Sequence, residues 1–98
     1  MRAKIPYSTG YRAEREAGKI LEQEGYYVIR SAGSHGVFDL AGFSKRGVRL
    51  ISVKVIGYNE KRIFGKHQEE IKSFPVFPFV QKELWVYEKR RGWHYYEC

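Results

Sequence analysis

The stretch from Val37 to Val55, V-F-D-L-A-G-F-S-K-R-G-V-R-L-I-S-V-K-V, constrains the chain more than any other. Two apolar runs, Phe38 to Phe43 and Val48 to Val55, flank Ser44-Lys45-Arg46-Gly47, where Gly47 can take the positive φ that a short hairpin loop or a G1 bulge needs. The pattern predicts a β-hairpin. Toward the far ends of its strands stand Asp39, Ser52 and Lys54, which the hairpin brings together. Side chains alternate faces, so Ser52 and Lys54 share one. A two-residue loop at Lys45-Arg46 pairs Ser44 with Gly47 and Asp39 with Ser52, whereas a bulge at Gly47 would change that parity. A strand this apolar is expected to be buried, and burying an ammonium without an anion is costly. Lys54 therefore calls for a carboxylate or a phosphate nearby, and an internal pair with Asp39 would serve.

The rest of the chain supplies elements to pack against that hairpin. Met1 to Tyr7 reads as a short basic arm. Ser8 and Thr9 offer helix N-caps, Tyr11 to Glu24 carries Ala13, Ala17, Ile20 and Leu21 on one face, and Gly25 follows as a C-cap glycine. Glu14 borders that apolar stripe, while Arg12, Arg15 and Lys19 stay outside. Tyr26 to Arg30 is aromatic and β-branched, a strand running into the small-residue loop Ser31 to Gly36. After Val55, Lys66 to Phe74 reads as a second helix ended by Pro75 and Pro78. The proline-broken apolar segment S-F-P-V-F-P-F-V suits an extended cover or a partner surface, not a central strand. Glu83 to Glu88 and Trp93 to Cys98 are strands around the turn Lys89 to Gly92. The expectation is an α/β fold in the order α-β-β-β-α-β-β, one domain over residues 1–98.

Charge bears on partners. Eighteen Lys plus Arg against 11 Asp plus Glu leave a net charge of +7, the footprint of a protein that meets phosphates. The basic turns Lys45-Arg46, Lys61-Arg62 and Lys89 to Arg91 could grip duplex backbones without reading sequence, or be solvated tips. His35 is a further phosphate contact to test. Cys98 is the only cysteine, so neither an internal disulfide nor a thiolate cage can form, which fits a reducing, cytoplasmic setting. His67 and His94 lack metal-ligand spacing, and the aromatics of the last two strands read as sheet packing. No apolar run of membrane-spanning length and no signal peptide is indicated.

Glu14 in A-E-R-E, R-S-A-G-S from Arg30, Asp39 opening the hairpin and S-V-K closing it together resemble the archaeal-type Holliday junction resolvases of the PD-(D/E)XK nuclease superfamily. The resemblance runs from about Tyr11 to Val55, with a weaker match beyond. It implies a restriction-endonuclease-like mixed sheet of about five strands flanked by two helices. It also implies a divalent metal, Mg²⁺ or Mn²⁺, and endonucleolytic cleavage of branched DNA by a homodimer. Carried over by position, Asp39 would bind the metal, Lys54 would be the motif lysine, Glu14 the helix-borne acid, and Ser31 a residue near the scissile strand. Arg12, Arg15, Arg30, Ser34, His35, Lys45, Arg46, Lys61 and Arg62 would hold DNA.

The departure is Ser52, where the superfamily has an acid. A neutral hydroxyl holds a hard cation poorly, although Mg²⁺ needs only one or two carboxylates when waters and a substrate phosphate complete its shell. Some restriction endonucleases of the superfamily also carry Ser-Val-Lys and draw the missing acid from the next helix. In K-H-Q-E-E-I that acid would be Glu69 or Glu70, between which periodicity does not choose. Two readings stay open: a metal-dependent nuclease, or a DNA-binding domain that lost its metal through Ser52. A small RNA-binding module would rest only on charge and aromatics.

Overall fold

The structure is a computed structural model that describes residues 6–31, 36–60 and 64–98. Its elements are α1 (Pro6–Gln23), β1 (Tyr27–Arg30), β2 (Leu40–Ser44), β3 (Gly47–Ile56), α2 (Gly65–Ser73), β4 (Val80–Glu88) and β5 (Gly92–Glu97). The strands form one sheet in chain order. Neighbours are antiparallel except β3 and β4, whose parallel pairing, reached through α2, makes the sheet mixed.

The hairpin takes the two-residue loop. Ser44 pairs with Gly47 and Leu40 with Ile51; beyond Leu40 the register slips by one, the Asp39 N–H donating to the Ile51 carbonyl at 2.8 Å, so Asp39 does not pair with Ser52 as the uninterrupted hairpin predicts. Gly47 has φ 128°, and a Cβ there would lie 2.5 Å from the Phe79 carbonyl oxygen, so the turn needs glycine twice over. That same carbonyl accepts the Val48 N–H at 2.7 Å, tying the hairpin to the entry of β4.

α1 starts earlier than the cap residues indicate. The described part of the helix runs from Pro6, so Ser8 and Thr9 lie within it and not at its cap positions. Residues 1–5 lie outside the described residues. The helix ends as its sequence foretells. Gly25 has φ 95°, its N–H donates to the Glu22 carbonyl and that of Tyr26 to the Leu21 carbonyl, the paired bonds of a Schellman motif.

Two apolar layers sandwich the sheet. On one face Ala13, Ala17 and Leu21 of α1, on successive turns, pack against Leu40, Ile51, Val53 and Trp85. On the other, Ile71 of α2 with Phe64 packs on Ile56, Leu84 and Val86. The charges buried in β4 are paired. Glu83 accepts two bonds from Arg49, at 2.7 and 2.8 Å, and one from Trp85 Nε1 at 2.8 Å. Lys82 Nζ donates to the Phe74 carbonyl at 2.8 Å and the Lys72 carbonyl at 3.3 Å, satisfying the orphan end of α2.

α2 packs over β4, leaving the β1–β2 part of that face bare. Tyr27, Ile29 and Phe43 are exposed on it, with Val48 and Leu50 only half-buried beside them. β4 begins at Val80, three residues before the expected strand, so the proline-rich segment is shorter than it reads. Phe74 stacks edge-on with Phe38, centroids 5.1 Å apart, while Val76 and Phe79 are 82% and 84% exposed and cover nothing.

Candidate active site

The far end of the hairpin gathers the chemistry. Asp39 stands in the bend just before β2, and its carboxylate reaches the β3 backbone at Val53, the residue between Ser52 and Lys54. Asp39 is fixed from both sides of its backbone: its carbonyl accepts the Ser31 N–H at 2.9 Å, and its Oδ2 accepts the Val53 N–H at 2.7 Å. Its other carboxylate oxygen has no protein partner among the described residues. Ser52 is 3% exposed, and Lys54 is half-buried.

Glu14 reaches this end of the sheet from α1. It stands one residue after the buried Ala13, at the border of the helix's inner face. Arg30, the last residue of β1, approaches it at 3.6 Å and lies 4.6 Å over the ring of Tyr11 one helical position before Ala13's neighbour Arg12. Burial, followed by the negative charge of Asp39, raises the Glu14 carboxyl above its ordinary value, against the opposing pull of Arg30 and Lys54. Burial likewise raises that of Asp39, against the Val53 N–H and Lys54. Two carboxylates and one ammonium thus share a field, and each acid would gain from a cation beside it.

The second-helix acids do not join them. Phe64 and Ile71 set the inner face of α2, so Gln68 lies inward and Glu69 and Glu70 outward. Glu70 sits 3.6 Å from His67, and both acids are exposed. Neither contributes to the field at Asp39 or Glu14. Among the described residues no group of three or more His, Cys, Asp or Glu is placed to hold a metal ion. The structure does not bring Glu69 or Glu70 to the acids; those that share a field are Glu14 and Asp39, and Ser52 is buried one residue before Val53, whose N–H holds Asp39.

Residues 6–86 match the family model described as archaeal Holliday junction resolvase (Hjc). The chain belongs to the Hjc family. It is 39% identical over 71 residues to the crossover junction endodeoxyribonuclease Hjc of Methanocaldococcus jannaschii, a match covering 72% of this chain and 50% of that protein. The chain thus spans about half the length of this curated relative. Its fold is also that of Archaeoglobus fulgidus Hjc, a Holliday junction resolvase from an archaeal hyperthermophile. The TM-score is 0.69 at 21% identity, over 88% of this chain and 73% of that one.

The basic residues fall into two groups on this Hjc fold. Arg12, Arg15 and Arg30 are exposed around Glu14, and Ser31 is exposed beside Asp39. Lys45 and Arg46 sit at the hairpin tip, some five residues, or about 17 Å, along the strand from Asp39. Arg46 is occupied there: it donates to the Glu24 carbonyl at 2.6 Å and stacks 4.9 Å over Tyr26, clamping the tip to the end of α1. Ser34, His35, Lys61 and Arg62 lie outside the described residues. A hollow of about 700 Å³ between Tyr26, Arg46, Phe79 and Lys82 is away from the paired acids. Sequence reasoning passed over Tyr11 as the ring that carries Arg30, because a cation over an aromatic ring across two elements leaves no periodic signal.

Proposed function

We propose that the chain is a metal-dependent endonuclease that cleaves phosphodiesters of branched DNA, as its family membership and the names of its relatives indicate. The observation that carries the reading is the meeting of Asp39, Glu14 and Lys54 at one end of the sheet, with both carboxyls raised and Lys54 half-buried beside them. Asp39 and Glu14 would hold a divalent cation such as Mg²⁺, whose chemistry is to polarise a phosphate oxygen and acidify a bound water. Asp39 has one carboxylate oxygen locked by the Val53 N–H and, among the described residues, no protein partner on the other. Arg30 holds Glu14 from the opposite side. Lys54 neutralises charge growing on the phosphate, and the exposed Arg12, Arg15 and Ser31 bind its flanking backbone.

Paired incision of a four-way junction requires two sites, which a symmetric dimer supplies. The bare face of Tyr27, Ile29 and Phe43, next to Val76 and Phe79, is the surface we assign to that dimer. The experiment is incubation of the full chain with a labelled four-way junction, a matched duplex and a flap, in Mg²⁺, Mn²⁺ or chelator. Junction cleavage that needs metal and is lost in Asp39→Ala and Lys54→Ala supports the enzyme. Binding without cleavage in every metal would turn the reading over to the non-catalytic domain.

A further inference from the structure

The end of the sheet where β3 and β4 finish carries a second cluster that the Asp39 site does not use. Glu88 is almost fully buried, and its carboxylate accepts the Asn59 N–H at 2.9 Å, lies 2.9 Å from His94 Nε2 and 3.2 Å from Arg91 Nε. The Lys89 N–H donates to the Ile56 carbonyl at 3.0 Å. These bonds weld the loop after β3 to the β4–β5 turn. Across the weld the exposed ring of Tyr58 is stacked by two guanidinium groups, Arg90 at 4.8 Å and Arg91 at 5.3 Å.

Two features point away from a merely solvated tip. Arg90 has φ 72°, in the left-handed region that glycine or asparagine would occupy at less cost, so turn stability alone does not favour arginine there. No carboxylate among the described residues pairs with it; the Glu88 carboxylate is taken up by Asn59, His94 and Arg91. A guanidinium laid on a ring keeps its N–H groups at the rim: Arg90 has no carboxylate partner among the described residues and can meet phosphate oxygens with its fork, while Arg91, held by Glu88 through Nε, adds a second positive charge beside it.

We propose that Tyr58, Arg90 and Arg91 form a phosphate-binding site for the backbone of one DNA arm, with Glu88 as its positioning residue. The site rests on the reading that the chain acts on DNA. Glu88 pairs with Ile56, two residues beyond Lys54 on the same face of β3, so Glu88 lies about 7 Å of strand past Lys54 and the site it positions would meet the flanking backbone. Contacts of this kind hold an arm in register and carry no base preference.

The test is fluorescence anisotropy of the full chain with a labelled four-way junction in chelator, across a salt series, with melting of each variant. Arg90→Gly suits the backbone at position 90, so it should melt higher than the wild type. It should nevertheless bind about tenfold more weakly and lower the slope of log affinity against log salt by about 0.9, one phosphate contact. Tyr58→Leu keeps both charges and should weaken binding with the slope unchanged. Arg90→Gly with wild-type affinity and slope overturns the site, as does a wild type that binds no DNA. A wild type that binds but never cuts sinks the nuclease reading alone, and the salt slopes still decide this one.

Discussion

Asp39 and Glu14 cost the folded state stability when ionised. Both carboxyls are raised above their ordinary values, chiefly by burial. Each therefore favours the folded state while protonated, fully so below about pH 4, and that contribution is lost as pH rises through the raised value. Asp39→Asn keeps an oxygen for the Val53 N–H and removes the ionisation. It is expected to melt a few degrees above the wild type at neutral pH, with the gap closing toward about pH 4, and to lose metal-dependent cleavage. Melting curves across pH check the first part. Ser52→Glu restores the acid its family relatives' superfamily pattern implies, and should lower the Mg²⁺ concentration for half-maximal cleavage about tenfold. An unchanged Mg²⁺ dependence would mean that position 52 points away from the cation. Much of this site is legible in the sequence: the hairpin brings Asp39 and Lys54 together once Gly47 fixes the loop, and helical period sets Glu14 beside the apolar stripe, but the one-residue slip at Asp39 that puts its carboxylate on the Val53 N–H is not. Arg30 on Tyr11, and Glu88 holding Asn59 and His94, are contacts between distant segments and leave no local pattern.

At the scale of elements, the hairpin tip is the sharpest constraint. Gly47→Ala must accept φ 128° and a Cβ 2.5 Å from the Phe79 carbonyl, which is also the acceptor for Val48. The expected cost is about 2–3 kcal/mol, read by urea denaturation, together with a smaller amplitude of the β-sheet signal if the register slips. The order of elements was legible because apolar period, glycine and proline punctuate it. Boundaries were less so. α1 already includes Ser8 and Thr9, and β4 begins at Val80, where Phe79 adopts φ 65° and turns the chain after Pro78. Glu69 and Glu70 looked available until Phe64 and Ile71 fixed which side of α2 faces the sheet.

For the whole molecule, the bare apolar face predicts self-association. The wild type should sediment as a dimer at micromolar concentration, and Phe43→Lys with Ile29→Lys should sediment as a monomer with an unchanged circular dichroism spectrum. Such a monomer should still bind duplex DNA and make single nicks in a junction without the paired second cut. The topology has another consequence, for how fast the molecule assembles. The β2–β3 and β4–β5 hairpins each close through a short turn, but the parallel seam between β3 and β4 must close the long connection from Gly57 to Phe79. That closure is the entropic bottleneck of folding. Trimming the seam at Val53→Ala should slow refolding in stopped-flow measurements, whereas changes in the Lys89–Arg91 turn should act mainly on the unfolding rate. Asp39 and Lys54 flank the hairpin that closes locally, so these two side chains are brought together before the sheet they belong to is complete.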